Sequence, residues 1–290
     1  RIISIIYRSE TIKYTRFLFF YGGLQMKLSA IFGAAEKVST DVITMTLFEN
    51  TKKIPSELNT LNKASGSAIS SLLKNGDFTG KLNETTIIPT DKKIIPKRIL
   101  LVGLGKSADF SLDKARQAAG TATRVVQGKK FKNPSMLLYG TEMKGVSLED
   151  ITRSVAEGIL LSLYNFTMYK TLKKEDKSAI TNYSLIVQKN DALKGIKSVA
   201  KEAEIVTEAV CFTRDIVNMS GSDATPMFLA NKAKEIAKKP GVKCKTLSSP
   251  EMKKLGMNGI LNVSRGSSQP PKFIILEYNT KKKSSDTIVL

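Results

Sequence analysis

Histidine is missing from all 290 residues of this chain. That removes Ser-His and Cys-His activation of a nucleophile from consideration. A G-x-S-x-G elbow is missing too. Cysteine is scarce: Cys211 and Cys244 are the two present, and they form no C-x-x-C motif. The expectation is unbridged, buried thiols in a reducing compartment, with no disulfide framework. No apolar run approaches the ~20 residues that cross a bilayer, so no membrane partner is expected. Arginine is sparse beside lysine, although the formal net charge is +20. A surface that reads bases or grips phosphates favours the planar fork of arginine. Here lysine comes in scattered pairs, Lys92-Lys93, Lys129-Lys130, Lys173-Lys174, Lys238-Lys239 and Lys253-Lys254, without interleaved aromatics. A solvated lysine surface is the preferred reading, and non-specific DNA binding is the weaker one. No internal repeat is found.

What the chain does have is enough apolar material for folded cores. It is 41% hydrophobic and 25% charged, which suits one large or two medium globular domains. Residues 1–25 read as a leader upstream of a true start at Met26, where a strand pattern opens. From there strand and helix patterns alternate. Residues 41–48 are β-branched and apolar. Residues 56–74 place Leu58, Leu61, Ile69, Leu72 and Leu73 on a helical face, closed by Asn75-Gly76. The run Arg98-Ile99-Leu100-Leu101-Val102 is continuous, as in a strand buried on both faces. An alanine-rich helix is predicted over 112–127, a short strand over 135–139, a long helix over 148–171 and a strand over 183–187. This rhythm predicts an α/β fold whose N-terminal domain (26–189) holds a mixed, largely parallel sheet.

Residues 190–217 read as a connector helix. Beyond it, 218–290 reads as the start of a second α/β unit. Thr225 is its N-cap candidate with Pro226 at the first helical position. Ser249-Pro250 repeats the device, and Gly256 closes that helix. Strands are predicted over 272–278 and 287–290, joined by the solvated turn Lys281-Lys282-Lys283-Ser284-Ser285.

The sharpest local motif is Gly103-Leu104-Gly105-Lys106-Ser107-Ala108, after a buried strand and before a helix. Its spacing suits a dinucleotide fingerprint, in which backbone N–H groups meet a pyrophosphate. Two things oppose that. The acid expected about 20 residues on is replaced by Thr123-Arg124-Val125-Val126-Gln127, still helical. Read as a phosphate loop, the motif has Leu100 where the first glycine belongs. A structural strand-to-helix turn is the expectation. The closest acid pairs, Glu149-Asp150, Glu175-Asp176 and Glu202 with Glu204, sit beside lysines and read as solvated charges. A two-metal hydrolase needs several converging carboxylates, and no such set is visible.

The last third of the chain carries a family signature. Thr213-Arg214-Asp215-Ile216-Val217-Asn218 leads into Thr225-Pro226, then Leu255-Gly256-Met257-Asn258-Gly259, Ser264-Arg265-Gly266-Ser267 and Pro270-Pro271-Lys272-Phe273-Ile274-Ile275-Leu276-Glu277-Tyr278. In order and wording these resemble the leucyl aminopeptidase (cytosol aminopeptidase) family. Arg153-Ser154-Val155-Ala156-Glu157-Gly158, with Tyr164 and Tyr169-Lys170-Thr171, is similar to a helix of that family. The family also has a turn like residues 103–108, with no nucleotide chemistry attached. Its prolines and asparagine between the positions of Asn218 and Thr225 are replaced here by Met219-Ser220-Gly221-Ser222-Asp223.

The resemblance implies a cytoplasmic metallo-aminopeptidase. Such an enzyme removes N-terminal residues from peptides with two divalent ions, manganese or zinc, and a metal-activated water. It implies a homo-hexamer, and some relatives bind DNA. It also implies that the chemistry begins past this sequence, with a Gly-Lys-Gly turn and the first metal-binding carboxylate. No family catalytic, cofactor-binding or metal residue falls on a position of this chain. The expectation is an N-terminal fragment without its own activity. The rivals are a stand-alone module binding nucleic acid non-specifically and a nucleotide-binding domain built around residues 103–108.

Overall fold

Strand β4 (Arg98–Gly103) divides its apolar side chains between two cores. Ile99 and Leu101 enter one, Leu100 and Val102 the other, and all four are fully buried. The computed structural model describes residues 26–91, 94–138, 145–171, 180–279 and 287–289. The chain forms two compact units, Arg1–Arg214 and Asp215–Leu290.

In the first unit β4 sits in a six-stranded sheet with β1 (Lys27–Phe32), β2 (Val42–Leu47), β3 (Thr85–Pro89), β5 (Pro134–Leu138) and β6 (Asn182–Val187). The order across it is β1-β6-β5-β2-β4-β3. Every neighbouring pair is parallel except β3 on β4. The mixed, parallel-dominated α/β fold read from the sequence is the one observed. Parallel strands need crossovers, and here the crossovers cover both faces.

One face is covered by α3 (Leu112–Gly128), α4 (Leu148–Ser162) and α5 (Leu193–Asn218). They supply Ala118, Ala122, Val155, Ile159 and Ala203 to the core of Leu100 and Val102. The other face is covered by α1 (Asn59–Ala64) and α2 (Ala68–Asn75). Their Leu61 and Ile69, with Leu58 and Phe78, pack on Ile99 and Leu101. Small residues bring α3 and α4 together: a Cβ on Gly158 would overlap the Arg116 carbonyl. The same pair is pinned by Arg116 Nη2 on Glu157 Oε2 at 2.8 Å. Serine caps start both helices. Ser111 Oγ accepts from the Lys114 N–H at 3.3 Å and Ser147 Oγ from the Asp150 N–H at 3.1 Å.

The second unit is shallower. Thr225 caps α6 (Pro226–Ile236), accepting from the Phe228 N–H at 3.2 Å. Next come β7 (Val242–Leu247), α7 (Ser249–Lys254), α8 (Asn258–Val263) and β8 (Phe273–Tyr278). Strands β7 and β8 make a two-stranded antiparallel sheet. Among the described residues its fully buried apolar side chains are four: Ala230, Ala233, Leu247 and Met252.

Several expectations need correction. The helix foreseen over 56–74 is two helices, broken where Gly66 and Ser67 both take φ +62°. Asn62 spans the break, donating to Ser70 Oγ and accepting from the Ser70 N–H. The helix foreseen to residue 171 ends at Ser162. Beyond it Phe166 packs edge-on against Tyr169, with ring centroids 5.7 Å apart, and Tyr164 lies under Arg214; these aromatics leave the sheet-facing stripe. The cap of α7 is Ser248, one residue earlier than expected. Its N–H donates to Glu251 and completes a capping box, with Pro250 inside the helix. Residues 287–289 belong to no strand, and Ile288 and Val289 are exposed. Cys211 and Cys244 are half-buried. The leader call on residues 1–25, the lysine pairs 92–93 and 173–174, the turn 281–285, the acid pair 175–176 and Leu290 lie outside the described residues.

Candidate functional site

The glycine turn after β4 packs main chain against main chain. The N–H of Gly103 donates to Glu84 O at 2.9 Å, that of Leu104 to Leu47 O at 2.9 Å and that of Gly105 to Gly80 O at 2.9 Å. A Cβ on Gly103 would overlap Lys81 O and the Gly80 backbone, and Gly105 holds φ +74° beside Leu82. A phosphate-binding loop needs those amides free. Here the protein uses all three. A separate 3-10 turn at Ser107–Asp109 then intervenes before Ser111 opens α3. The structural reading of this motif holds, and a nucleotide site built on its amides does not.

The acidic pairs are also occupied structurally. Glu149 and Asp150 sit in the first turn of α4, where carboxylates favour the helix dipole, and Asp150 Oδ2 accepts from Ser147 Oγ at 2.7 Å. Glu202 Oε2 meets Arg153 Nη2 at 2.9 Å, tying α5 to α4. The lysine pairs follow a common pattern. Lys129-Lys130 follow the end of α3, Lys238-Lys239 follow α6, and Lys253-Lys254 close α7. Each of these three pairs lies at or just past the C-terminal, negative end of a helix.

Four carboxylates titrate below their usual range: Asp113 and Glu251, exposed at helix starts, and Asp41 and Glu84, where burial opposes the shift. Burial alone would raise Asp41, but N–H donors from Asn133 and Lys132 and the Lys97 ammonium outweigh it. Burial likewise opposes Glu84, and the hydroxyl and N–H of Thr79 with the N–H of Lys81 prevail. Both fix loops: Asp41 joins the starts of β2 and β5, and Glu84 closes the turn over Gly80. Tyr183 is fully buried, which pushes its hydroxyl up to about 12 against the lowering influence of Thr123 and Thr44.

The signature residues of the last third also have local roles. The Arg214 guanidinium lies 5.5 Å from the centroid of the Tyr164 ring. Ser264, the first residue of a 3-10 turn, donates from its Oγ back to Leu261 O of α8 at 2.9 Å. At Gly266 a Cβ would meet nothing within 4 Å and φ is not positive, so the turn does not require a glycine there. In the departing segment, Asp223 N–H and Ala224 N–H both donate to Ser220 O, which makes a closed turn ahead of Thr225.

The donor set does not fit a two-metal centre. Among the described residues no three of Cys, Asp or Glu gather around one point, and the sequence offers no histidine.

Sequence comparison decides the kinship. The N-terminal domain model of the cytosol aminopeptidase family matches residues 44–173, and the catalytic domain model of the same family matches 211–290. The chain belongs to the cytosol aminopeptidase family. A probable cytosol aminopeptidase of Geotalea uraniireducens is 37% identical over 219 residues, 75% of this chain and 43% of that protein. One of Dechloromonas aromatica is 31% identical over 91% of this chain and 53% of its own length. The chain thus spans about half the length of the cytosol aminopeptidases it matches. Among solved structures, a tomato leucine aminopeptidase mutant superposes with a TM-score of 0.75 at 23% identity, covering 89% of this chain and 52% of its own. The bottromycin maturation enzyme BotP, solved in complex with Mn, gives 0.63 at 21% identity over 83% of this chain and 46% of its own. These two likenesses show the fold.

Proposed function

We propose that this chain is part of a metallo-aminopeptidase that removes N-terminal residues from peptides. The observation that carries the reading is the ordered match of both domain models of one family along the chain. In this reading residues 26–189 form the N-terminal domain, 190–217 the connector, and 218–290 the opening of the catalytic domain. The chain supplies scaffold. Two divalent ions, manganese or zinc, polarise the peptide carbonyl and activate water in such enzymes, and the carboxylates that hold them lie outside the described residues. The donor inventory above supports this placement. The names of the relatives support a cytoplasmic location, and a homo-hexamer is the proposed assembly.

The test compares the 290-residue chain with the longer protein that contains it, on leucine 4-nitroanilide with added manganese. The longer protein should release nitroaniline and lose that activity to a chelator. The chain alone should release none. A silent longer protein would remove the peptidase assignment. Chelator-sensitive turnover by the chain alone would show that its own residues complete the centre.

A further inference from the structure

Strands β2 and β5 part company halfway along. Their ladder runs from Val42 and Pro134 to Thr44 and Met136 and stops there. Their other neighbours stay paired to the end, β2 with β4 as far as Leu47 and Gly103, and β5 with β6 as far as Leu138 and Val187. The sheet therefore opens between two of its central strands at their carboxyl ends. The topology explains why. After β2 the chain leaves for α1 and α2 on one face, and after β5 it leaves for α4 on the other. Adjacent strands whose connections depart to opposite faces leave a crevice outside their carboxyl ends, where open α/β sheets take their ligands.

A cleft of about 110 Å³ occupies that opening. Leu47 and Phe48 wall one side, Leu138 the other, Leu104 just after β4 and Phe110 just before α3 line it further, and Val155 of α4 completes the lining. Phe48 and Phe110 meet edge to face with centroids 5.6 Å apart. Among the described residues no charged side chain lines it, and the polar side chains that do are Thr46 and Thr51. Thr51 Oγ1 already donates to Phe48 O at 2.7 Å. This lining suits neither a phosphate nor the two charges of a free amino acid, because a charge taken out of water needs a partner. An apolar cavity of about 150 Å³ binds benzene in an engineered protein, and the opening here is of the same order.

We infer that the β2–β5 crevice is a binding site for a neutral ligand that presents an apolar group the size of a benzene ring. It lies wholly in the first unit. Benzene is the probe. Near saturation it should raise the Tm of the 290-residue chain by roughly 2–4 °C, since a ligand that binds only the native state stabilises it. Methyl NMR should show shifts at Leu47, Leu138 and Val155 and none at Leu61 and Ile69 in the opposite core. Ala115→Leu fills the cleft from α3 and should abolish both responses while far-UV circular dichroism stays native. Should that variant fail to fold, the methyl map of the unaltered chain decides alone. An unchanged Tm, or shifts spread equally over both cores, would overturn the site.

Discussion

The two units are built from similar residues and reach different depths. In the first, each central strand has helices on both faces, so alternate side chains of β4 are equally buried. In the second, β8 has an even more apolar sequence, Phe273-Ile274-Ile275-Leu276-Glu277-Tyr278, yet its last four residues are exposed. Leu255 and Val263 are exposed in the same unit. Hydrophobic sequence sets what a strand can bury. Coverage sets what it does bury, and an uncovered apolar surface invites association.

The largest break in this contrast should come from Gly103→Val. The added atoms would collide with main chain that cannot rotate away, at a cost of about 3 kcal/mol or more. The denaturant midpoint of the first unit should fall sharply. A midpoint within error of the unaltered chain would mean that the turn over Gly80 relaxes freely.

Next in size is a matched pair. Leu101→Ala removes a fully buried side chain from the centre of β4 and should cost about 2–5 kcal/mol. Leu276→Ala removes one that is 46% exposed and should cost about 0.5 kcal/mol. Equal losses in chemical denaturation would mean that β8 is covered in solution, for instance by association, and dilution would then separate the two costs.

Much of the first unit was legible in the sequence because its signals are strong. The uninterrupted run at 98–102 and the alanine stripe of α3 each admit one placement. The second unit was harder to read. Val242-Lys243-Cys244-Lys245-Thr246-Leu247 alternates like a half-buried strand, and β7 obeys that period. Its two lysines and short apolar residues mask the signal. Strand β3 escaped notice because it is five residues at an edge, ending in Pro89. The strand expected over 287–290 rested on β-branched composition alone, and among the described residues no strand pairs with 287–289. The overlong α4 shows the opposite error: Tyr164 and Tyr169 keep an apolar spacing, but their partners are an arginine and another ring. The cleft between β2 and β5 left no sequence signal at all, because it depends on where pairing ends.

Acid should weaken the first unit more gently. The carboxyls of Asp41 and Glu84 titrate below their ordinary values in the folded state. Their stabilisation is complete above the unfolded pKa, near ~4, and is lost as pH falls through the lower folded value. The Tm of the first unit should therefore decline below about pH 4, and Asp41→Asn should flatten that decline. An acid limb unchanged by Asp41→Asn would show that the two N–H donors hold a neutral side chain equally well.

The smallest effect should be Tyr183→Phe. The Tyr183 hydroxyl is buried near the Thr123 and Thr44 hydroxyls, close enough for them to lower its pKa, but none makes a well-formed hydrogen bond to it. Removing a polar group so weakly paired costs little and relieves its desolvation. Stability should change by less than about 1 kcal/mol, in either direction. A larger loss would place an ordered water on that hydroxyl.

The knot of Gly80, Gly103 and Gly105 has a consequence for how such motifs are inherited. Glycine is required wherever a backbone must approach closely, whether the visitor is a pyrophosphate or another stretch of the same chain. Selection on either leaves the same letters. A lineage holding this turn keeps the spelling of a nucleotide loop for as long as the fold survives, with no nucleotide ever involved. To acquire one, it would first have to find other donors for the carbonyls of Glu84, Leu47 and Gly80. The form of the turn is thus set by its own packing and closed to that change of use.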